Sequence, residues 1–357
     1  MKELPKANKG LRIAYVLDPR FAGGTSSAVA AELRAVCDMG QVHVYALETK
    51  MFSGRYVAPQ LSDVLTELNL PLTWVDTEIA ADVVIFHNPS SLKFQEQLGT
   101  RIVARHLIVV THENFLRPGG AEGFDVEKCL DQIAASSITL KRSLAPISAW
   151  NRSTVESWCR KHVLAAGWSL LEDDWFNICS FERVPPTTAP RDRRGRHSRP
   201  GSEKFPPNDV MELCFPETAE RNIILGADRF MGDDDVPVFW TLYPFGSLTL
   251  PHFFEQFDFF VYYTAPTWRE SFGRVVPEAV AAGKIVITDQ ETANSFEGAA
   301  IGAVPQEIDQ IIATYVAQPE RYRADVLSAQ ASLDRFSADS FRGVFKDVFG
   351  KAAGVFA

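Results

Sequence analysis

The stretch FVYYTAPTWRESFGRVVPEAVAAGKIVITD, residues 260–289, decides how this chain is read. It opens inside an apolar run, Phe259–Tyr263 (FFVYY), rich in β-branched and aromatic residues, as a strand buried inside a parallel sheet is. Thr264, Ala265 and Pro266 end that run. Pro277 is tolerated only in a first helical turn, so the following helix is predicted to begin near Val275 or Val276. Glu270 then falls in the loop and Glu278 in the first turn. The amides of Ser271, Phe272, Gly273 and Arg274 fall at the helix entrance, where unpaired N–H groups and the helix dipole attract anions. Gly283 is predicted to cap the helix C-terminus, and Lys284–Thr288 (KIVIT) returns as the next strand. Such a unit can hold a phosphorylated ligand on backbone amides with a carboxylate on each side for hydroxyls, which points to a sugar nucleotide. One glutamate in a first turn is explained by the dipole alone, worth about 0.3–1 kcal/mol. The pair, with the glycine, the proline and both strands in place, points to function.

Composition narrows the classes. A length of 357 residues favours two domains. Apolar residues at 46% and charged residues at 23% are ordinary for a soluble globular protein, and a net charge of −9 argues against a general nucleic-acid binder. Cys37, Cys129, Cys159, Cys179 and Cys214 are scattered without CxxC spacing, which implies reduced thiols in a cytoplasmic protein and no structural zinc. No apolar stretch approaches the ~20 residues of a transmembrane helix, and the opening MKELPKANKG lacks a signal-peptide core. The phenylalanines gather toward the C-terminus and are expected in the core.

Along the chain, Lys9–Leu17 reads as a first strand, DPRFAGGTSSA as a glycine loop and Ala28–Val36 as a helix. Val42–Leu47, Leu72–Val75, Asp82–His87 and His106–Thr111 are further short apolar runs separated by helices or loops. Residues 144–160 read as another strand and a helix capped near Asn151–Ser153. Periodicity is lost around Phe181–Pro190, where proline density rises and a domain boundary is expected. A second alternation follows in Asn222–Leu225, Val236–Leu242, Phe259–Tyr263 and Lys284–Thr288. The pattern is α/β, two doubly wound parallel sheets of Rossmann type. Ser337–Phe349, with Phe341, Phe345 and Phe349 at four-residue spacing, is an amphipathic last helix.

Three other segments carry candidate chemistry. RDRRGRHSRPGSEKFP, residues 191–206, concentrates Arg191, Arg193, Arg194, Arg196, Arg199 and Lys204 in an acidic protein. It reads either as a solvated linker or as a loop whose cations neutralise a diphosphate. Gly23-Gly24 after the first strand allows a close backbone approach or simply a tight turn, and it is not the GxGxxG dinucleotide fingerprint. His112 ends one predicted strand and His87 another, both at the edge where α/β sheets bind ligands. Asp173-Asp174 and Asp233–Asp235 raise a metal reading, but the basic loop already supplies positive charge, so no metal is expected.

The run ESFGRVVPEAVAAG, residues 270–283, resembles the signature of the retaining GT-B glycosyltransferases of the family 4-like group, in which two glutamates flank seven residues and an E-A-x-A-x-G helix follows. The resemblance implies two facing Rossmann-like domains. Residues 1–182 would form the acceptor-side domain, 183–335 the nucleotide-sugar domain, and 336–357 a helix packing back on the first. It also implies roles. Glu270 would contact the transferred sugar, Glu278 the ribose, and the amides of Phe272 and Gly273, with Ser271 and Arg274 beside them, the diphosphate. Gly195-Arg196 and Lys204 match the family's diphosphate-binding Gly-Arg and Lys, with Arg199 the alternative to Arg196, although an arginine-rich run precedes Gly195 where an apolar strand is expected. Gly23 and Gly24 would approach the donor phosphate and the acceptor, and His112 the sugar. The expected activity is transfer from a nucleoside diphosphate sugar, a substrate and not a cofactor, to a hydroxyl of a glycan or lipid-linked acceptor, with peripheral association at the inner membrane face compatible with such acceptors. GT-B epimerases and silent donor-binding proteins share the architecture.

Overall fold

The computed structural model describes residues 10–75, 77–163, 167–232 and 235–353. The opening residues 1–9, read above for a signal-peptide core, and Asp233 and Asp234 of the second acidic cluster lie outside the described residues. The chain divides into two units. One holds residues up to 116, 122–178 and the stretch from 338; the other holds 117–121 and 179–337.

In the first unit the strands are β1 (Arg12–Leu17), β2 (Gln41–Ala46), β3 (Leu72–Trp74), β4 (Glu78–His87), β5 (Arg101–Thr111), β6 (Ser137–Pro146) and β7 (Ser169–Leu170). They pair in parallel in the order β3-β2-β1-β4-β5-β6-β7. The connecting helices are α1 (Gly24–Val36), α2 (Pro59–Glu67), α3 (Val126–Ala135) and α4 (Ala149–Cys159). Ile13–Leu17, Val83–Phe86 and Leu107–Val110 are no more than 2% exposed, so these central strands are apolar on both faces, as helix-covered parallel strands must be.

The second unit repeats the plan. Its strands β8 (Arg193–His197), β9 (Arg221–Leu225), β10 (Trp240–Tyr243), β11 (Phe259–Tyr262), β12 (Ile285–Thr288) and β13 (Ile301–Gly302) run in parallel in the order β10-β9-β8-β11-β12-β13. Around them lie α5 (Asn208–Cys214), α6 (Leu250–Phe254), α7 (Val275–Ala281), α8 (Gln290–Ser295), α9 (Ile308–Ala317) and α10 (Pro319–Ser332). In each sheet the winding direction reverses once, beside β1 and β4 in the first and beside β8 and β11 in the second. Doubly wound sheets bind ligands at the carboxyl ends of the strands flanking that reversal.

The last helix, α11 (Ala338–Ala353), belongs to the first unit. Phe341, Phe345 and Phe349 form its buried stripe, Phe341 meets Trp175 edge-on at 5.1 Å, and Arg342 pairs with Asp38 at 2.7 Å. The expected C-terminal helix thus completes the first core.

Several boundaries differ from the sequence reading. The arginine run is not a linker or a loop, because residues 193–197 are the central strand β8. Its charges are tolerated inside a sheet because each guanidinium has a partner. Arg193 donates to both oxygens of Asp258 at 2.9 and 3.0 Å, and Arg194 to Asp192 at 2.7 Å and Asp309 at 2.6 Å. Gly195 lets this strand pass Phe257, whose ring would lie 2.3 Å from a Cβ at that position. Helix α1 starts at Gly24, four residues before the expected Ala28, so Gly23 is its N-cap and Gly24 its first residue. Ser148, not Asn151–Ser153, caps α4 by accepting from the Asn151 amide at 3.1 Å. Val238 is fully exposed, and the strand expected from Val236 begins only at Trp240. Among the described residues no helix is long and apolar enough to cross a membrane.

Gly195→Ala is expected to destabilise the second unit by about 1–3 kcal/mol, the usual cost of overpacking. A lowered midpoint in chemical denaturation checks this; an unchanged midpoint would mean that Phe257 moves freely.

Candidate functional site

The reversal point of the second sheet gathers most of the residues singled out from sequence. Helix α7 begins at Val275, as Pro277 requires, leaving Glu270 in the loop and Glu278 in the first turn. Gly273 adopts φ +83°, a left-handed conformation that glycine accepts without strain, and so turns the loop back toward Glu270. At the far end Gly283 has φ +79°; its amide donates to Val280 and that of Lys284 to Ala279, a Schellman cap. A side chain at Gly283 would also meet the Val184 carbonyl at 2.8 Å. The Phe272 side chain is buried between Phe296 and Phe336 and anchors the loop, whose backbone carries Ser271, Phe272 and Gly273 past the strand end.

Glu270 is the centre of a nearly enclosed polar cluster. Lys204 Nζ donates to its Oε1 at 2.7 Å and its Oε2 at 2.9 Å, and the Tyr262 hydroxyl donates to Oε1 at 2.6 Å. Burial works to raise the Glu270 pKa, but the Lys204 charge and these hydrogen bonds outweigh it and hold the carboxyl below its ordinary value. Lys204 also lies 5.0 Å from the Trp268 ring centre.

Glu278 is 13% exposed and accepts from Arg274 Nε at 2.9 Å, one helical turn away. Burial raises its pKa against the pull of Arg274. Its other oxygen is 3.4 Å from His197 Nε2 at the end of β8. His197 is packed against Phe253, Phe254 and Phe260, and burial pushes its pKa down to about 3, so the ring is neutral.

The two arginines expected to share the diphosphate lie in different environments. Arg196 is 1% exposed, and its guanidinium donates to the Tyr263 and Lys204 carbonyls while stacking 4.1 Å over Phe205. Burial lowers its pKa to about 10. Arg196, expected at the diphosphate, has its head turned inward, where it braces the Lys204 carbonyl while its Nε is buried without a hydrogen-bond partner. Arg199 is the exposed cation of this loop, 55% open and paired with Glu203 at 2.9 Å.

In the first unit, no neighbouring atom lies within 4 Å of where a Cβ of Gly23 or Gly24 would be, so the backbone there is open to close approach. His112 follows β5, half-buried, with Nε2 2.9 Å from His87 Nδ1 at the end of β4. Burial drives both imidazoles down, His112 to about 3, so both are neutral. Behind them lies Glu32 on α1, fully buried, its Oε2 accepting from Trp175 Nε1 at 3.0 Å and standing 3.6 Å from His87 Nε2. Burial raises the Glu32 pKa to about 8.

Asp174 of the first acidic pair accepts from Arg152 at 2.7 Å, a structural tie. Among the described residues no group of three or more His, Cys, Asp or Glu side chains converges in a way that could hold a metal ion.

Sequence reasoning missed Tyr262, Trp268, His197 and Glu32. Glu32 had a signal: it follows Ala28 by four residues and Val29 by three, so it falls on the buried stripe of α1.

No family model and no curated protein matches the sequence. Solved structures do. Anabaena HepE in complex with UDP has a TM-score of 0.60 at 15% identity, covering 96% of this chain and 100% of that one. The lipopolysaccharide outer core galactosyltransferase WaaB, in its apo form, has a TM-score of 0.56 at 12% identity and covers 96% and 100%. An E. coli structure described as trehalose-6-phosphate bound with UDP-2-fluoro glucose gives 0.54 at 13%, covering 94% and 98%. The fold is GT-B. In this GT-B chain the charged cluster belongs to the second Rossmann-like unit, and the neutral His87–His112 pair to the first.

The Glu32 shift fixes a sign. Its folded pKa, about 8, exceeds its unfolded value, so folding favours the protonated form and stability is lost as pH rises from the ordinary carboxylate range through about 8. Glu32→Gln should therefore gain thermal stability over the wild type as pH is raised from 5 to 8. Parallel curves would show that Glu32 is ionised in the fold.

Proposed function

We propose that this chain is a retaining, metal-independent glycosyltransferase that moves a sugar from a nucleoside diphosphate, with UDP the first candidate, to a hydroxyl of a glycan or lipid-linked acceptor in polysaccharide or glycoconjugate biosynthesis. With a lipid-linked acceptor it would act peripherally at the cytoplasmic face of a membrane. The observation that carries this reading is the placement of Glu270 and Glu278 on either side of the left-handed Gly273, at the reversal point of the second sheet, with Lys204 on Glu270. That structures holding UDP and UDP-2-fluoro glucose share the fold supports uridine nucleotides as the donor class.

In this reading Glu278 accepts from the ribose hydroxyls and Glu270 from hydroxyls of the transferred sugar. An ammonium group has three donors. Lys204 therefore keeps one for a diphosphate oxygen when Glu270 takes the other two, and Arg199 adds charge from the loop. The amides of Ser271, Phe272 and Gly273 face the same phosphates, beside Arg274. In the first unit, Gly23 and Gly24 offer a backbone surface to phosphate or acceptor, and His112 contacts a sugar hydroxyl. The bond from the anomeric carbon to the diphosphate oxygen breaks, the acceptor oxygen bonds to that carbon on the same face, and the acceptor proton passes to the departing diphosphate. Protein groups act mainly by positioning and by stabilising charge on the leaving oxygen.

Glu278→Ala should weaken UDP binding by roughly 10–100-fold, the cost of a lost hydrogen bond to a charged group, measured by titration calorimetry. Glu270→Ala should instead lower kcat by a similar roughly 10–100-fold with little change in UDP affinity. If both variants keep wild-type affinity and rate, the site assignment fails. Lys204→Ala should weaken UDP much more than uridine, whereas an equal loss for both would remove Lys204 from the diphosphate. Free UDP with an α-linked product from an α-linked donor establishes transfer with retention; an epimerised donor or an inverted product refutes it.

A further inference from the structure

Behind His112 runs a buried chain of polar side chains to which the proposed reaction gives no task. His112 Nε2 is held by His87 Nδ1 at 2.9 Å, which leaves Nδ1 of His112 for a ligand. Tyr15 stacks on His87 with ring centres 5.5 Å apart and planes within 11°, so the His87 ring cannot tilt away. His87 Nε2 and Glu32 Oε1 are both buried without a hydrogen-bond partner, and the Glu32 carboxyl stands 3.6 Å from that nitrogen.

We propose that Glu32 and His87 are positioning residues that decide which nitrogen of His112 carries its proton, so that His112 offers Nδ1–H as a hydrogen-bond donor to a sugar oxygen. The inference rests on reading His112 as a ligand-facing group. Both imidazoles are neutral, so each has one N–H, and the pair can be ordered in only two ways. A protonated Glu32 donates its O–H to His87 Nε2 once the gap closes to hydrogen-bond length. His87 then donates from Nδ1 to His112 Nε2, and His112 is left with Nδ1–H. An ionised Glu32 reverses every bond: His87 carries Nε2–H, His112 donates from Nε2, and its Nδ1 becomes an acceptor.

The surroundings favour the first order. Facing Glu32 are Tyr15 from β1, His87 from β4 and Trp175, and none of these is a cation. The charges of the neighbouring helices turn to the outer side of α1, where Arg34 pairs with Glu67 of α2 and Arg342 of α11 pairs with Asp38. An ionised Glu32 would be an uncompensated buried charge, consistent with a carboxyl raised to about 8.

The test is the histidine tautomer in the full chain, read from two-bond ¹H–¹⁵N correlations that separate protonated from bare ring nitrogens. At pH 6.5 both His112 and His87 should be in the Nδ1–H form. Raising the pH through about 8 should switch both to Nε2–H in the wild type. In Glu32→Gln, whose amide still donates, both should remain Nδ1–H throughout. Finding His112 as Nε2–H at pH 6.5, or an identical pH response in wild type and variant, overturns the relay. The wild-type tautomers at pH 6.5 already decide the order of the chain without a variant that might misfold, and no bound donor is needed. Expected tautomers combined with unchanged transfer by His112→Ala would overturn only the reading of His112 as ligand-facing.

Discussion

The ammonium group of Lys204 sits within 2.9 Å of both oxygens of Glu270, and this pair ties the loop after β8 to the loop after β11. Neither charge could remain so sheltered alone, since an unpaired ion removed from water costs far more than a fold of this size can offset. The neighbouring residues follow from that constraint. Tyr262 supplies a second donor to Glu270, Arg196 is buried to hold the Lys204 carbonyl, and Gly273 bends the loop that returns to α7. What results is a carboxyl held below its ordinary pKa and fixed in place by Lys204 and Tyr262. A pair of this kind contributes little net stability compared with an apolar replacement, which is a reason to look for its value in binding.

The two units use one topology for two electrostatic tasks. At the reversal point of the second sheet the side chains are charged and paired: Lys204 with Glu270, Arg274 with Glu278. At the corresponding point of the first, burial has neutralised them: two imidazoles and a carboxyl whose pKa values are all displaced toward the uncharged form. In the proposed function the first kind of site takes the diphosphate sugar and the second a sugar hydroxyl, where hydrogen-bond direction matters more than charge.

Much of this was legible in the sequence because the signals were local. Pro277 placed the start of α7 to within a residue, Gly283 its end, and most of the apolar runs their strands. The phenylalanine spacing of Ser337–Phe349 gave the buried stripe of α11. Beyond local boundaries, such as the starts of α1 and β10, what the sequence hid was long-range pairing. The Arg193–His197 strand looks like a solvated linker because its partners, Asp258 and Asp309, are remote in sequence. Nor does anything local tell that the Arg196 head turns inward to backbone carbonyls. The Glu32–His87–His112 chain is drawn from three separate elements, and only its first member shows in a periodicity. Composition records that charges exist; which of them are neutralised, and by what, is decided by topology.

The central claim is that the second unit is built for a nucleoside diphosphate sugar. It is tested most directly by thermal unfolding of the purified chain against UDP, GDP and ADP and their sugars, because a ligand that binds only the folded state raises the unfolding temperature by mass action. One base, expected to be uracil, should raise the midpoint in a concentration-dependent way, and Glu278→Ala should lose the effect while remaining folded. No shift with any of these nucleotides at saturating concentration, or an equal shift in the wild type and Glu278→Ala, would contradict the account.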